Sequence, residues 1–215
     1  MIVCKAKKEY GKNTVLDVER SFEEGKIYAI IGNNGSGKST FLNVLAKEIP
    51  FEGEIVCPKD VLYMPQTAYN FDFSVKKNVL LFVKKKDEEQ RRKSEERLQK
   101  SGLSPLLKKN AKRLSGGEGQ KTALLRTLNR PCSVLLLDEP TSSMDLSATQ
   151  IAEDLILDYK KDAACTIFWV THSVAQAERV ADEILFFDAG KILESGKSIT
   201  RSPTTPQLQT FLQNR

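Results

Sequence analysis

The chain has 215 residues, of which 40% are hydrophobic and 28% charged, and its formal net charge is +5. This composition is that of a soluble globular protein with a sizeable core, and it argues against extensive disorder. Because 33 basic residues are balanced by 28 acidic ones, the charge suits phosphate-bearing ligands but does not require nucleic acid as a partner.

Neither a membrane span nor a secretion signal is predicted. No apolar stretch approaches the roughly 18 residues that a transmembrane helix needs, and the N-terminal MIVCKAKKEYGK lacks the apolar core of a signal peptide. The cysteines lack the spacing of metal ligands; they are Cys4, Cys57, Cys132 and Cys165. We therefore expect a cytoplasmic protein whose thiols are reduced and mostly buried.

The N-terminal part of the chain predicts strands followed by a helix. Three strand candidates, MIVCKAK, TVLDVER and KIYAII, lead into the glycine-rich turn GNNGSGKST at residues 32–40. From Lys38 onward apolar residues recur at helical spacing, and Pro50 should end this helix. Two further strand candidates, GEIVC and VLYM, follow. The glycine-rich turn is thus expected to join a strand to a helix.

The middle of the chain, from about Val75 to Lys112, predicts a helical and highly charged segment. Residues 84–100 hold eight basic and five acidic residues, with apolar positions mostly at the ends. Such a segment could form a nucleic-acid patch, but a solvated helix with pairs of opposite charge is the favoured interpretation.

The second half predicts alternating helices and strands after another glycine-rich turn, RLSGGEGQK at residues 113–121. The predicted elements are the helix EGQKTALLRTLN, the buried strand SVLLLDEP, a helix over about 147–160, the strand CTIFWVTH, the helix VAQAERVA, and the strands EILFFD and KILES. This alternation indicates an α/β fold. The tail SPTTPQLQTFLQNR is too short for a second domain.

The first glycine-rich turn matches the phosphate-loop pattern G-x-x-x-x-G-K-[ST] in its required strand–turn–helix context. Glycines allow backbone N–H groups to converge on phosphates, Lys38 would neutralise the β- and γ-phosphate oxygens, and Ser39 would supply an oxygen to Mg²⁺. The residues predicted to bind nucleotide here are Gly32, Asn33, Asn34, Gly35, Ser36, Gly37, Lys38, Ser39 and Thr40.

Two carboxylates, Asp138 and Glu139, follow the apolar run of SVLLLDEP at the C-terminal end of a strand, where open parallel sheets bind ligands. Asp138 would hold Mg²⁺ through its water shell, and Glu139 would polarise the attacking water. Taken alone, the pair could also be an acidic loop at a strand end.

With LSGGE at residues 114–118 just ahead of LLLDEP, the chain resembles the nucleotide-binding subunit of an ATP-binding cassette (ABC) transporter over essentially its whole length. The resemblance implies one ATP-binding domain over residues 1–215. Its α/β fold would have a phosphate-loop (RecA-like) parallel-sheet core, an antiparallel β subdomain and a small helical subdomain at about 67–130. The implied activity is hydrolysis of ATP with Mg²⁺.

The resemblance also implies why the chain carries two glycine-rich turns. Two copies would pack head to tail, so that ATP on the phosphate loop of one copy meets Ser115, Gly116, Gly117 and Glu118 of the other. The N-terminal amides of the helix that starts there would face the γ-phosphate. The same residues also predict a capping box between Ser115 and Glu118, and both interpretations can hold together.

Four more positions are assigned by the resemblance, each with a plainer alternative. Tyr10 would stack on adenine, or be an ordinary core or surface tyrosine. Gln66 would reach Mg²⁺ and the attacking water, or be a bare strand-end glutamine. Asp145 would cross to the other subunit, or cap the next helix. His172, the only histidine, would contact the γ-phosphate, or be structural. Gln66 and His172 join Lys38 and Glu139 in the predicted catalytic set.

The implied partners are a second copy of the chain in the ATP-bound state, integral-membrane permease subunits and a solute-binding protein, but no nucleic acid. The protein would be cytoplasmic and peripheral on the inner face of the membrane. Near Gln66, Tyr69, Phe71, Phe73 and Val75 would contact the permease or belong to the core. The sequence around TAYNFDFSVKKNVL and SVAQAERVADEI resembles that of the ATP-binding subunits of importers of small oxyanions such as tungstate or phosphate.

The rival hypothesis is an ABC-type ATPase with a non-transport role, for example one that acts on nucleic acid. Such proteins place long coiled coils between the two nucleotide motifs. Here the motifs are close together and no sustained heptad repeat separates them.

Overall fold

The computed structural model describes residues 1–214. Its strands are β1 Ile2–Tyr10, β2 Asn13–Phe22, β3 Ile27–Gly32, β4 Glu52–Val56, β5 Val61–Met64, β6 Val134–Asp138, β7 Thr166–Val170, β8 Glu183–Asp188 and β9 Lys191–Gly196. Its α-helices are α1 Lys38–Leu45, α2 Val75–Val79, α3 Glu88–Lys100, α4 Gly116–Leu128, α5 Leu146–Ala163, α6 Val174–Val180 and α7 Pro206–Gln213. Short 3₁₀ turns lie at Ser104–Leu106 and Ala111–Arg113.

The first of two compact units contains both sheets and is formed by Met1–Tyr63, Ser133–Glu139 and the chain from Ala164 onward. A six-stranded sheet has the order β5-β6-β7-β3-β8-β9, in which β6, β7, β3 and β8 run parallel and β9 is antiparallel. A separate antiparallel sheet has the order β2-β1-β4. The parallel core and the antiparallel subdomain predicted from the sequence are therefore present.

The central strands of the large sheet are apolar along their whole length because both faces are covered. Every residue of β3, β6 and β7 is buried, as is typical of parallel strands between two layers. On one face, Tyr28 stacks on Phe168 at 5.2 Å between ring centroids, and Phe22 meets Phe168 edge-on at 5.0 Å. Each such ring pair contributes about 0.5–1.5 kcal/mol beyond its area burial. The ends of these strands are thereby held firmly in place.

The second unit, Met64–Cys132 with Pro140–Ala163, is helical. The charged stretch forms α3, which buries only Ser94 and Leu98 and carries the ion pairs Arg92–Glu96 and Lys93–Glu89. It therefore has the solvated character that the sequence favoured. The predicted helix over 75–112 is nevertheless interrupted twice: α2 ends at Val79, and irregular chain follows α3.

Two further differences concern helix ends. Helix α1 stops at Leu45, before Pro50, because Lys47 adopts a left-handed φ of 58°. The tail forms an unpredicted helix, α7, whose N-terminus is capped by Thr205 and whose Leu208 and Phe211 are buried. Among residues 1–214, no helix has both the length and the apolar character that crossing a bilayer would require.

Candidate functional site

The phosphate loop lies at the edge where the parallel strands end. The register of the sheet pairs Asp138 with Val170 and Val170 with Ile30, so β6, β7 and β3 finish side by side. The chain beyond them carries the predicted catalytic residues Glu139 and His172. Strand ends therefore bring together residues that are far apart in sequence.

The loop between β3 and α1 needs glycine at position 37 for steric reasons. Gly37 has φ of 102°, and a Cβ atom there would lie 2.8 Å from the backbone oxygen of Val15. The loop is tied to the β8–β9 turn by a hydrogen bond from the Gly190 N–H to the Ser36 oxygen, 2.9 Å long. This conformation gives α1 an N-terminus whose amides can bind an anion.

Lys38 is almost completely buried, with 5% of its surface exposed, although lysine is rarely buried. Its Nζ donates to the backbone oxygens of Gly32 at 3.0 Å and of Asn33 at 2.7 Å. The ammonium group thus reaches back to the start of the phosphate loop and is fixed there by two backbone oxygens. The hydroxyl of Ser36 is also buried, and no hydrogen-bond partner for it exists within the described residues. A phosphate oxygen in this loop would match both groups.

Asp138 fits the predicted role at Mg²⁺. It is 2% exposed; Tyr63 Oη donates to its Oδ2 at 3.4 Å, whereas its buried Oδ1 has no partner in the described part of the chain. Burial raises the pKa of this carboxyl; the Ser39 side chain, by hydrogen bonding, opposes the rise, and the charge of Glu139 adds to it. Ser39 and Asp138 thus offer hard oxygen ligands, and Mg²⁺ commonly binds one or two protein ligands together with substrate phosphates.

At Glu139 the backbone leaves the extended conformation of β6, whose last residue is Asp138. Its φ is 50°, and its N–H donates to the oxygen of Val170 at 3.1 Å. Its Oε1 lies 2.5 Å from Nε2 of His172. A left-handed φ at a residue other than glycine costs about 1–3 kcal/mol, and it can be part of the mechanism where it lies in an active site. The carboxylate and the imidazole therefore form a pair beside Asp138.

The position of His172 depends on residues that the sequence did not single out. Thr171 Oγ1 donates to Oε1 of buried Gln176 at 2.6 Å and accepts from the Ser173 N–H at 3.0 Å. The bond from Ser173 fixes the backbone that follows His172, and the bond to Gln176 fixes the side chain that precedes it. The glutamine four residues after the histidine was the only sequence feature that could have pointed to this support. The contact of Tyr63 with Asp138 was likewise not predicted.

The second glycine-rich turn belongs to the helical unit and forms the predicted capping box. Ser115 Oγ accepts from the Glu118 N–H at 3.3 Å, and Glu118 Oε2 accepts from the Ser115 N–H at 2.9 Å. The backbone hydrogen bond from Ser115 is the main reason why the pKa of Glu118 is lowered. Ser115 and Gly116 remain exposed, so the start of α4 is accessible.

The turn at 142–145 packs directly on this helix start. A Cβ atom on Gly117 would lie 2.7 Å from the Ser143 oxygen, which explains a glycine there. Gln120, another residue not anticipated, accepts from the Ser143 N–H at 2.9 Å and donates to Ser142 Oγ at 3.3 Å. Asp145 is exposed and accepts from the Ala148 N–H at 2.7 Å, the contact expected of a helix cap.

The remaining predicted residues are exposed. Tyr10 lies at the end of β1, where the Lys8 ammonium is 4.7 Å from its ring centroid. Gln66 follows β5 and lines a cavity of about 640 Å³ together with Ser115 and Gly116. Their roles toward nucleotide remain predictions.

Comparison with known proteins identifies the family. The model of the ABC transporter family matches residues 15–142. The chain is 37% identical to a tungstate uptake system ATP-binding protein of Peptoclostridium acidaminophilum, over 90% of this chain and 96% of that one. It is 35% identical to a phosphate import ATP-binding protein of Malacoplasma penetrans, over 96% and 82%.

A solved ATP-binding subunit of an ABC transporter superimposes with a TM-score of 0.84 at 21% identity, covering 99% of this chain and 98% of the other. This likeness confirms the predicted fold class. Because the family model spans more than half of the sequence and the curated relatives align almost end to end, the chain belongs to the ABC transporter family, as one of its ATP-hydrolysing, ATP-binding subunits.

Proposed function

We propose that two copies of this chain close head to tail on two molecules of ATP with Mg²⁺, and that this cycle powers import of an inorganic oxyanion through separate permease subunits. The observation that carries the proposal is the cluster at the strand ends, where buried Lys38 and Asp138 lie in the same unit as the Glu139–His172 pair. It joins a phosphate-binding group, a metal-binding carboxylate and a candidate base.

Each member of the cluster has a distinct task. Lys38 and the loop amides bind the β- and γ-phosphates. Ser39 and Asp138 would hold Mg²⁺; bound Mg²⁺ neutralises charge that develops on the phosphates. Asp138 suits this task because its buried, unpartnered Oδ1 is the oxygen that a cation would stabilise.

Glu139 is proposed as the general base. A water oxygen attacks the γ-phosphorus while the bond to the β–γ bridging oxygen breaks, and the water proton passes to the Glu139 carboxylate. His172 holds that carboxylate through the 2.5 Å contact and can donate to a γ-phosphate oxygen. The φ of 50° at Glu139 is the backbone strain that aims the carboxylate away from Asp138.

The exposed features of the helical unit support a second copy as partner. The α4 amides at Ser115 and Gly116 are accessible, as an anion-binding helix start must be. Beside Asp145, the side chain of Leu146 is 85% exposed. In the proposed pair, the second copy would cover this side chain.

A permease would contact the segment that follows Gln66. Tyr69 and Phe73 are exposed, and Phe71 meets Tyr69 edge-on at 5.1 Å and stacks on Phe73 at 6.0 Å between ring centroids. Val75 is fully buried and so belongs to the core rather than to this surface. Through this contact the protein would lie at the cytoplasmic face of the membrane.

The tungstate and phosphate relatives support an oxyanion as the transported substrate. Import would also require a solute-binding protein.

Replacement of Glu139 by Gln tests the mechanism. The amide keeps the volume but cannot take up the proton, so the hydrolysis rate should fall at least about 100-fold. Removing a negative charge near the γ-phosphate should also stabilise the closed pair, so the variant should elute as a dimer with ATP and Mg²⁺ and as a monomer with ADP. If the variant hydrolysed ATP at the wild-type rate, or stayed monomeric at saturating ATP, the proposal would be contradicted.

Co-purification of the native protein with nucleic acid instead of a membrane protein would favour the rival function.

A further inference from the structure

A second cavity, of about 420 Å³, adjoins the phosphate loop. It is lined by Asn33, Asn34, His172, Phe211 and Asn214. The first three belong to segments already assigned to the ATP site. The other two come from α7 and the residue that caps its C-terminus, a part of the chain for which the family motifs give no role.

The lining is suited to an anion. Three of the five side chains are carboxamides, each with two N–H donors, and a fourth is an imidazole. No carboxylate side chain is present among the five described residues that line this cavity. Because the C-terminal end of α7 bears partial negative charge, a phosphate nearby needs donors between it and the helix. Asn214 is exposed at that position and supplies them.

Helix α7 also packs on the strand that leads into the phosphate loop and on the helix that follows His172. Its residues Leu208 and Phe211 are buried in one apolar cluster with Ile31 and Ala177. Ile31 immediately precedes the first glycine of the phosphate loop, and Ala177 lies on α6, the helix that begins just after His172. A shift of Phe211 would therefore be transmitted to both sides of the cavity.

The start of α7 is fixed by a carboxylate on β9. Glu194 accepts hydrogen bonds from the Thr204 N–H at 3.0 Å, from the Thr205 N–H at 3.0 Å and from Thr205 Oγ1 at 2.8 Å. Burial raises the pKa of Glu194, but these hydrogen bonds outweigh it and leave the pKa below its usual value. The carboxylate is thus ionised at neutral pH, and α7 is anchored at its N-terminus as well as through its buried face.

We propose that α7 is part of the ATP site: Asn214 donates its amide to the γ-phosphate, and Phe211 is a positioning residue for the phosphate loop and His172. This inference rests on the proposed function, because it takes the γ-phosphate to lie on the His172 side of the loop. It predicts that α7 distinguishes ATP from ADP, since ADP has no group that reaches Asn214.

The first experiment compares Asn214→Ala with Gln213→Ala, a neighbouring exposed residue that does not line the cavity. Affinities for ATP and ADP are titrated in the Glu139→Gln background, so that ATP is not consumed. Loss of one hydrogen bond to a charged group should weaken ATP binding about tenfold. ADP affinity and the melting temperature should match those of Gln213→Ala. Equal ATP affinities in the two variants would overturn the role of Asn214, even if the protein proved not to hydrolyse ATP.

The second experiment separates positioning from stability. Phe211→Ala is compared with Ile199→Ala, which removes a side chain from the same apolar cluster but not from the cavity wall. Well below both melting temperatures, kcat for ATP should fall several-fold in Phe211→Ala only, and Phe211→Leu should restore most of it. Equal kcat values in the two alanine variants would show that Phe211 contributes stability alone. If Phe211→Ala does not fold, the Asn214 titrations still decide whether α7 belongs to the site.

Discussion

Substitution of Gly117 by Ala should destabilise the helical unit, whereas the same change at the adjacent Gly116 should not. A Cβ atom on Gly117 would lie 2.7 Å from the Ser143 backbone oxygen, whereas one on Gly116 would lie 3.6 Å from the Ser143 Cβ. The first distance is a severe overlap with backbone, and the second is ordinary van der Waals contact. Two neighbouring glycines of one motif therefore differ in what they tolerate.

The size of the effect follows from the packing. Relief of the overlap requires α4 and the 142–145 turn to separate, and overpacking of this kind typically costs about 1–3 kcal/mol. In a chain of this size, each kcal/mol lowers the melting temperature by roughly 2–4 °C. At Gly116 alanine removes only freedom from the unfolded chain, which is neutral or stabilising by up to about 1 kcal/mol.

Differential scanning calorimetry of the two variants without nucleotide measures this difference directly. The Gly117→Ala protein should melt below wild type and the Gly116→Ala protein at or above it. ATP hydrolysis should also fall in Gly117→Ala, because the displaced turn carries Asp145 and supports the exposed start of α4. Equal melting temperatures for the two variants would refute the close approach of Gly117 to Ser143.

Three further changes test other parts of the site. Lys38→Ala should weaken ATP binding at least about tenfold, because it deletes the buried charge that is proposed to bind phosphate; unchanged affinity in a titration would refute the assignment of the loop. Ser115→Arg should bind ATP normally but not hydrolyse it, and mixing it with Lys38→Ala should restore one composite site; failure of the mixture to close on even one ATP would refute the head-to-tail arrangement. Asp138→Asn should abolish Mg²⁺-dependent hydrolysis yet raise the melting temperature of the nucleotide-free protein at neutral pH. Since burial raises the pKa of Asp138, its stability penalty develops as pH rises from the ordinary value of 3.8 through the raised pKa, so wild type should lose more stability than the variant over that range.

The sheet and the phosphate loop were predictable because their signals are local. Apolar runs such as SVLLLD and the spacing from Gly32 to Ser39 determine strand and turn within a few residues. The alternation of helix and strand then indicates the α/β class, although it does not determine the strand order β5-β6-β7-β3-β8-β9. For the same reason the capping box of Ser115 and Glu118 could be predicted, since its two hydrogen bonds join residues only three positions apart.

The parts that were not predicted depend on contacts that a helix makes with residues outside itself. The charged segment at 75–112 breaks where Asn78 turns back to Phe71, donating from Nδ2 to its oxygen at 3.0 Å and accepting from its N–H at 2.9 Å. Helix α7 forms because Leu208 and Phe211 meet an apolar cluster that includes Ile31 of β3 and Phe186 of β8. The spacing of Leu208 and Phe211 is itself a helical signal, whereas the contact between Asn78 and Phe71 leaves no periodic trace.

The different roles proposed for Asp138 and Glu139 illustrate the same limit at the level of chemistry. The sequence places two carboxylates side by side and cannot say why one should bind a metal and the other a proton. In the structure, Asp138 is the last residue of an extended strand and is 2% exposed, and burial raises its pKa. One residue later the backbone reverses to a φ of 50° and turns the next carboxylate toward His172. The strained backbone at one position thus separates two identical functional groups, one buried at the end of a strand and the other beside a histidine.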